Sequence, residues 1–456
     1  MQTSNKTKAI LVAIIMLGFA IRYMVWIYPM FGAQGLTIYD TGTYAGFGLS
    51  YIQSISSMNL TAMAEINPGV PPLAMILTGL SAHTFGQLVG QVQASLLAPI
   101  AASSLTAIPA YIVARRYSAK WSLLAPLLIE LDPFQVQFSS AYLDSIGTLF
   151  ALTSTTCLLN QAEEKRWFTL AIFFASLAVL CKLTFAGYVV LLSLLMTLTR
   201  QITVKRGALY TAIPVASIAL SPWVWTPTTL STSIQGNLTF NNTPLASIIG
   251  PFAIGVPQSL PWYILTYLGL GHVSWNTLPL TSTFTLFLAL LYRAVKRELN
   301  PPKTLTTAAS AMVLTLFLIP RNYWTYSWAG GFLQGVLAKQ FYPYYFYPLA
   351  PFAATLAAPL IAGLKGDTIK ERTVTYPIYM AAILSPIALI MNLGFPYWDF
   401  LFTLIYSSTQ GSWILEGTAA AAITTATLIA TITAAELLHR KSRPNGQSGR
   451  KRREQL

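Results

Sequence analysis

"AILVAIIMLGFAIRYMVWIYP", residues 9–29, is the stretch on which the fold turns. It is long enough to cross a hydrocarbon core of about 30 Å as a helix, and it carries one charge, Arg22, near its far end. Lys6 and Lys8 precede it as they would precede a secretory signal core. Yet the run is longer than such a core and lacks a clean small-x-small cleavage site, so it is read as a retained membrane anchor. Similar runs recur along the 456 residues, 54% of which are hydrophobic and only 9% charged. That balance excludes a soluble multidomain protein and predicts an all-α polytopic membrane protein.

The formal charge of +14 would suit a nucleic-acid binder, but in so apolar a chain Lys and Arg mark cytoplasmic loops and anionic lipid surfaces. The basic clusters are Lys6/Lys8, Arg115/Arg116/Lys120, Lys165/Arg166, Arg200/Lys205/Arg206, Arg293/Lys296/Arg297/Lys303, Lys365/Lys370/Arg372 and the tail from Arg440. Placing all of them inside requires an even number of crossings between consecutive clusters. The apolar runs then fit at 9–29, 91–114, 121–138, 143–160, 167–181, 184–199, 207–225, 276–293, 304–320, 343–363, 374–394 and 413–438. This predicts a bundle of about 12 (11–13) helices with both termini cytoplasmic. Residues 1–439 form the membrane domain, and 440–456 a disordered basic arm on the inner surface.

"PPLAMILTGLSAHTFG", 71–86, also resembles a span, but counting it as one would send Arg115 and Arg116 outside. It is therefore assigned to an outer interfacial or re-entrant helix. Two long outer loops remain, about 30–90 and 226–275, whereas the inner loops are short and charged, which puts the chemistry outside. The sequons at Asn59, Asn237 and Asn241 fall on that side as well. Cys157 and Cys181 lie within apolar runs and His83, His272 and His439 are scattered, so no metal site or disulfide framework is expected. There is no GxxxxGK[ST] loop, no nucleoside triphosphate is indicated, and no cofactor is predicted.

Four cations escape the inner clusters: Arg22, Lys182, Arg321 and Lys339. Each falls in or just beyond the outer half of the membrane, where a basic residue at a helix centre costs roughly 2.5–3.5 kcal/mol unless a partner or water meets it. Acids gather at the same level: Asp40, Glu65, Asp132, Asp144, Asp399 and Glu416, with Glu130 just below. Each is explicable alone as an interhelical ion pair, a snorkelling lysine or, for Asp40, a helix N-cap. Taken together they suit transfer of a group whose leaving group is an anion, with a carboxylate to activate the nucleophile and cations to receive a phosphate. The segment 321–348, "RNYWTYSWAGGFLQGVLAKQFYPYYFYP", is dense in rings that belong to an interfacial belt or stack on sugars and isoprenoids. Tyr342, Tyr345 and, in the first loop, Tyr44 are the sugar and lipid contacts expected here.

The order Arg22, Tyr39-Asp40-Thr41-Gly42-Thr43-Tyr44, then Asn67-Pro68-Gly69-Val70-Pro71-Pro72-Leu73 resembles the first outer loop of GT-C glycosyltransferases. The likeness is to the dolichyl-phosphate-mannose protein mannosyltransferases and the aminoarabinose transferases. "SSAYLDSIGTLFALT" around Asp144, "LAVLCKLTF" around Lys182 and "KQFYPYYFYPLAPFAATLAA" from Lys339 look like later stretches of the same family, so the likeness runs from residue 22 to about 360. The resemblance implies a GT-C-like bundle with outer juxtamembrane helices. It further implies an enzyme that moves a sugar from a polyprenyl-phosphate donor, with inversion, to a hydroxyl on the extracytoplasmic side. Asp40 would be the general base. Lys182, Arg321, Lys339 and Arg22 would be donor-phosphate ligands, and Glu65 and Asp144 would tune the base or touch the acceptor. Thr41 replaces the family's usual second acid, and Gly69-Val70 stand where relatives often carry Lys or His. A flippase of lipid-linked sugars and an oligosaccharyltransferase-like enzyme, the latter prompted by "PYWDF" at 396–400, are the alternative functions.

Overall fold

The computed structural model describes residues 5–26, 41–66, 71–117, 119, 122–132, 135–136, 139, 142–161, 164–225, 286, 289–290, 303–318 and 347–361. All regular structure among them is helical. The first helix, α1 (Asn5–Trp26), coincides with the opening run. It is followed by α2 (Thr41–Ser56), the short α3 (Leu60–Glu65) and α4 (Leu73–Val89). Gly90, at φ 90°, then turns the chain into a nearly continuous rod of α5 (Gln91–Ser95), α6 (Leu97–Leu105) and α7 (Ala107–Tyr117). Next come α8 (Leu124–Leu131), α9 (Tyr142–Asn160), α10 (Lys165–Cys181), α11 (Thr184–Leu198) and α12 (Val204–Ala216), which runs out into two 3-10 turns at Ser217–Leu220 and Pro222–Val224. Later in the chain lie α13 (Lys303–Leu318) and α14 (Leu349–Ile361). The expected spans at 374–394 and 413–438, and most of 276–293, lie outside the described residues.

Among the described residues the chain is all-helical, as expected. Asn5–Met24 and Gln91–Tyr117 are long and apolar enough to cross a bilayer, and only 11% of the α1 window is buried against protein. A helix so apolar and so little covered is stable where its surroundings are lipid rather than water. The polar groups are turned the other way. Thr148, Thr155, Thr156, Thr315 and Thr355 are buried, and each hydroxyl donates to the carbonyl four residues back, the usual way to satisfy a hydroxyl inside a membrane helix.

Two apolar clusters organise the packing. The larger joins α7 through α14 around Phe185, Tyr188, Tyr210, Phe352 and Leu356. The smaller gathers the first loop, with Tyr51, Met75, Leu96, Ile100, Val136, Leu143 and Cys181, and with Tyr44 and Phe47 half-buried at its edge. α2 crosses α4 at Gly48 and Gly79, where a Cβ on either glycine would strike the other helix's backbone. This close approach locks α2 against α4 within the first loop.

The run expected as one span at 121–138 is broken. Its helix α8 stops at Leu131, and Asp132 is extended at φ −66°, ψ 117°. Asp132 precedes Pro133, whose ring disfavours α geometry in the residue before it, so the helix ends there. Similarly, the run 207–225 is α-helical only as far as Ala216.

Candidate functional site

Arg22 lies one turn from the end of α1, and none of its side chain is exposed. Its Nη1 donates to Glu130 Oε2 at 2.5 Å and to the carbonyl oxygens of Gly18 and Glu130 at 3.1 and 3.2 Å. Its Nη2 donates to the carbonyl of Ile129 at 2.8 Å and its Nε to Ser103 Oγ at 2.9 Å. The premature end of α8 explains this arrangement. A helix that stops inside a membrane leaves its last carbonyls without partners, and the planar fork of Arg22 takes two of them together with the Glu130 carboxylate. Gly18 makes room, since a Cβ there would run into that carboxylate. Arg22, expected at a lipid phosphate, here binds α1, α6 and α8 together.

Ser103 is the hub of a wider network. Besides the Arg22 Nε–H it accepts the hydroxyl of Tyr347 at 2.6 Å, and a serine oxygen has two lone pairs to offer. The Tyr347 phenol also meets Ser145, whose Oγ donates to the Ser139 carbonyl at 2.7 Å. Ser104 is buried beside this network and meets the Glu130 carboxyl. Tyr347, Ser103 and Ser145 were missed from the sequence. The one available signal was a pair of adjacent serines, Ser103-Ser104, in the middle of an otherwise apolar span.

The residue next to Ser145 is Asp144, in the first turn of α9. Its Oδ2 accepts from Lys182 Nζ at 2.6 Å, with side-chain exposures of 5% and 14%. Lys182 caps the C-terminus of α10 in an extended conformation, φ −160°, ψ 136°. Both charges sit where the helix dipoles favour them, an anion at an N-terminus and a cation at a C-terminus. Unlike Arg22, Lys182 keeps some exposed surface, and it offers three N–H donors, one of them directed at Asp144.

Helical rise sets the depth of these groups. Arg116 hydrogen-bonds Asn160 at one end of the bundle. From Asn160 to Asp144 along α9 is about 24 Å, from Lys165 to Lys182 along α10 about 25 Å, and from Lys6 to Arg22 along α1 about 24 Å. Three independent helices thus put the buried charges at one level, most of the way across a hydrocarbon core of about 30 Å from the end rich in Lys and Arg.

Glu65 closes α3 and is exposed. Nearby, the Tyr51 hydroxyl donates to the Ile66 carbonyl at 3.2 Å, and burial pushes its phenol pKa above the ordinary value. Asp132 is buried, and its Oδ1 accepts from the Gln135 backbone N–H at 3.3 Å. Asp40, Arg321, Lys339, Tyr342 and Tyr345 lie outside the described residues; α2 begins at Thr41, the residue that follows Asp40. Among the described residues no group of three or more His, Cys, Asp or Glu is placed to hold a metal.

The stretch from the start of α4 to the last 3-10 turn, which contains Ser103, Glu130, Asp144 and Lys182, has a recognisable sequence. Residues 69–225 match the family described as dolichyl-phosphate-mannose-protein mannosyltransferase. No curated protein sequence matches the chain. Among solved structures, the ArnT of Cupriavidus metallidurans bound to undecaprenyl phosphate is 16% identical with a TM-score of 0.49, over 94% of this chain and 77% of that one. The archaeal oligosaccharyltransferase AglB of Archaeoglobus fulgidus, in complex with an inhibitory peptide and a dolichol-phosphate, is 14% identical with a TM-score of 0.42, over 92% of this chain and 56% of that one.

Proposed function

We propose that the chain transfers a sugar from a polyprenyl-phosphate donor to a hydroxyl acceptor on the extracytoplasmic side of the membrane, with Asp40 as general base. The observation that carries this reading is the Asp144–Lys182 pair. It is a partly exposed cation held about 25 Å from the basic end of the bundle, within the segment that matches the mannosyltransferase family. In the proposed reaction the Asp40 carboxylate takes the proton of the acceptor hydroxyl. The freed oxygen attacks the anomeric carbon from the face opposite the phosphate. The bond from that carbon to the phosphate oxygen breaks, the polyprenyl phosphate leaves with the electron pair, and the configuration inverts.

Lys182 is assigned to the departing phosphate, with Arg321 and Lys339 beside it. At about 4 Å and an effective dielectric of about 20, one cation favours one negative charge by roughly 4 kcal/mol. Asp144 holds Lys182 at its post, and Arg22, whose donors are engaged by protein, serves as a brace beneath the site rather than as a phosphate ligand. Glu65 is assigned to tuning Asp40 or touching the acceptor, and Tyr44, in the first loop, to the donor's sugar and lipid. Tyr342 and Tyr345 are assigned to the donor's sugar and lipid.

The test uses purified protein in lipid with radiolabelled mannosyl- and glucosyl-phosphoprenols, read by thin-layer chromatography. Wild type is expected to consume one of them, and Asp40→Asn to stop turnover without altering thermal unfolding. Wild-type rates in Asp40→Asn would remove Asp40 from the chemistry.

A further inference from the structure

The basic end of the bundle has an organisation that the transferase reading does not use. α10 and α12 are packed side by side and both start at this level. Each carries two cations in its first turn, Lys165 and Arg166 on one, Lys205 and Arg206 on the other, and no acid. A cation in a first turn opposes the helix macrodipole, so both helices begin at some cost that a nearby anion would offset. Arg166 is held by Glu164, with Nη2 donating to Oε1 at 2.9 Å. Lys165, Lys205 and Arg206 have no ion pair among the described residues.

Below each arginine the same helical face turns apolar and stays uncovered. On α12, Leu209 and Ile213 follow Arg206 at i+3 and i+7, with 41% and 46% of their surface exposed. On α10, Leu170 and Phe173 follow Arg166 at i+4 and i+7, with 37% and 54% exposed. Residues at these spacings share one face of a helix. The two helices are tied at the top by the Arg206 guanidinium, which lies 5.4 Å from the centre of the Phe168 ring. A cationic head at the membrane boundary above an apolar column is the complement of a phospholipid with an anionic headgroup: phosphate above, acyl chains below.

We propose that the α10–α12 corner is a binding seat for an anionic phospholipid, with Lys205 and Arg206 on the headgroup phosphate and Leu209 and Ile213 along one acyl chain. The seat fixes which leaflet this end of the bundle occupies and is independent of the transfer reaction.

Full-length protein in nanodiscs of mixed phosphatidylglycerol and phosphatidylcholine, followed by native mass spectrometry of the retained lipids, tests it. Wild type retains phosphatidylglycerol preferentially. Each charge removed lowers that preference roughly fivefold, the factor corresponding to about 1 kcal/mol per basic residue at an anionic surface. The double variant Lys205→Gln/Arg206→Gln therefore loses most of it. Leu209→Ser/Ile213→Ser lowers retention of both lipids together. An unchanged preference in the double charge variant overturns the proposal. So does displacement of phosphatidylglycerol by millimolar inorganic phosphate or glycerol phosphate, since the site would then hold a soluble anion rather than a lipid.

Discussion

The Arg22–Glu130 pair offers the sharpest test of how the bundle is held. Both side chains are fully buried and 2.5 Å apart, and the guanidinium also serves the Ile129 and Glu130 carbonyls and Ser103. Removing one member of a buried pair costs about 3–5 kcal/mol, because the other charge is left uncompensated. Each carbonyl left without a donor adds about 1–3 kcal/mol. Arg22→Met incurs both penalties and is expected to lose on the order of 5 kcal/mol or more. Arg22→Met/Glu130→Leu removes the stranded charge and keeps only the carbonyl penalty, so it should be more stable than Arg22→Met alone. Glu130→Gln leaves the fork on the carbonyls and falls between wild type and Arg22→Met. The assay is a reversible denaturant titration in mixed micelles, monitored by tryptophan fluorescence. A double variant no more stable than Arg22→Met alone would refute the reasoning, as would an Arg22→Met that loses less than about 1 kcal/mol against these penalties.

Exchanging the charges, Asp144→Lys/Lys182→Asp, should preserve the fold, since the pair re-forms in reverse, yet abolish transfer, since the cation then sits on α9; retained turnover would make the pair purely structural. Cys157 and Cys181 are buried thiols, 3% and 0% exposed. Neither should react with maleimide in the folded protein and both should react after unfolding in SDS, and prompt labelling of Cys181 in the native state would contradict the packing drawn for α10.

The helices that the sequence disclosed were those whose ends are marked by charge or by a break in polarity. α9, α10 and α11 fall within two residues of their expected bounds, because Lys165, Lys182 and Arg200 punctuate them. The interruption of 121–138 was written in Asp132-Pro133, but mean hydropathy over a window does not register a backbone constraint. At the site, the level of the charges was legible and their partners were not. Simple counting of crossings puts Arg22, Asp144 and Lys182 at a common depth. Which acid meets which cation depends on helix rotation, and in a membrane protein the polar stripe that reveals rotation is diluted by apolar residues on every face. Arg22 shows the consequence. Its charge invited a phosphate, whereas the deciding fact was a helix end on α8, more than a hundred residues away in sequence, whose carbonyls required a donor.

Charge balance limits what the described part of the layer can do. Arg22 and Glu130 cancel, as do Lys182 and Asp144. A polyprenyl phosphate gains negative charge on leaving its sugar, and two neutral pairs give it little net field. Lys182 can turn toward that phosphate only by sharing itself with Asp144, so Asp144 both anchors the lysine and weakens its pull. Under the proposed reaction the additional positive charge has to come from the two remaining outer cations, Arg321 and Lys339. They lie beyond α13 in the chain, on either side of the aromatic stretch that precedes α14. Tyr347, at the head of α14, ties that later part of the chain to Ser103 and so to the Arg22 brace. The buried network and the proposed phosphate site would thus be two parts of one design. The first joins the helices through pairs that carry no net charge, and under the proposed reaction the second draws on cations that these pairs do not consume.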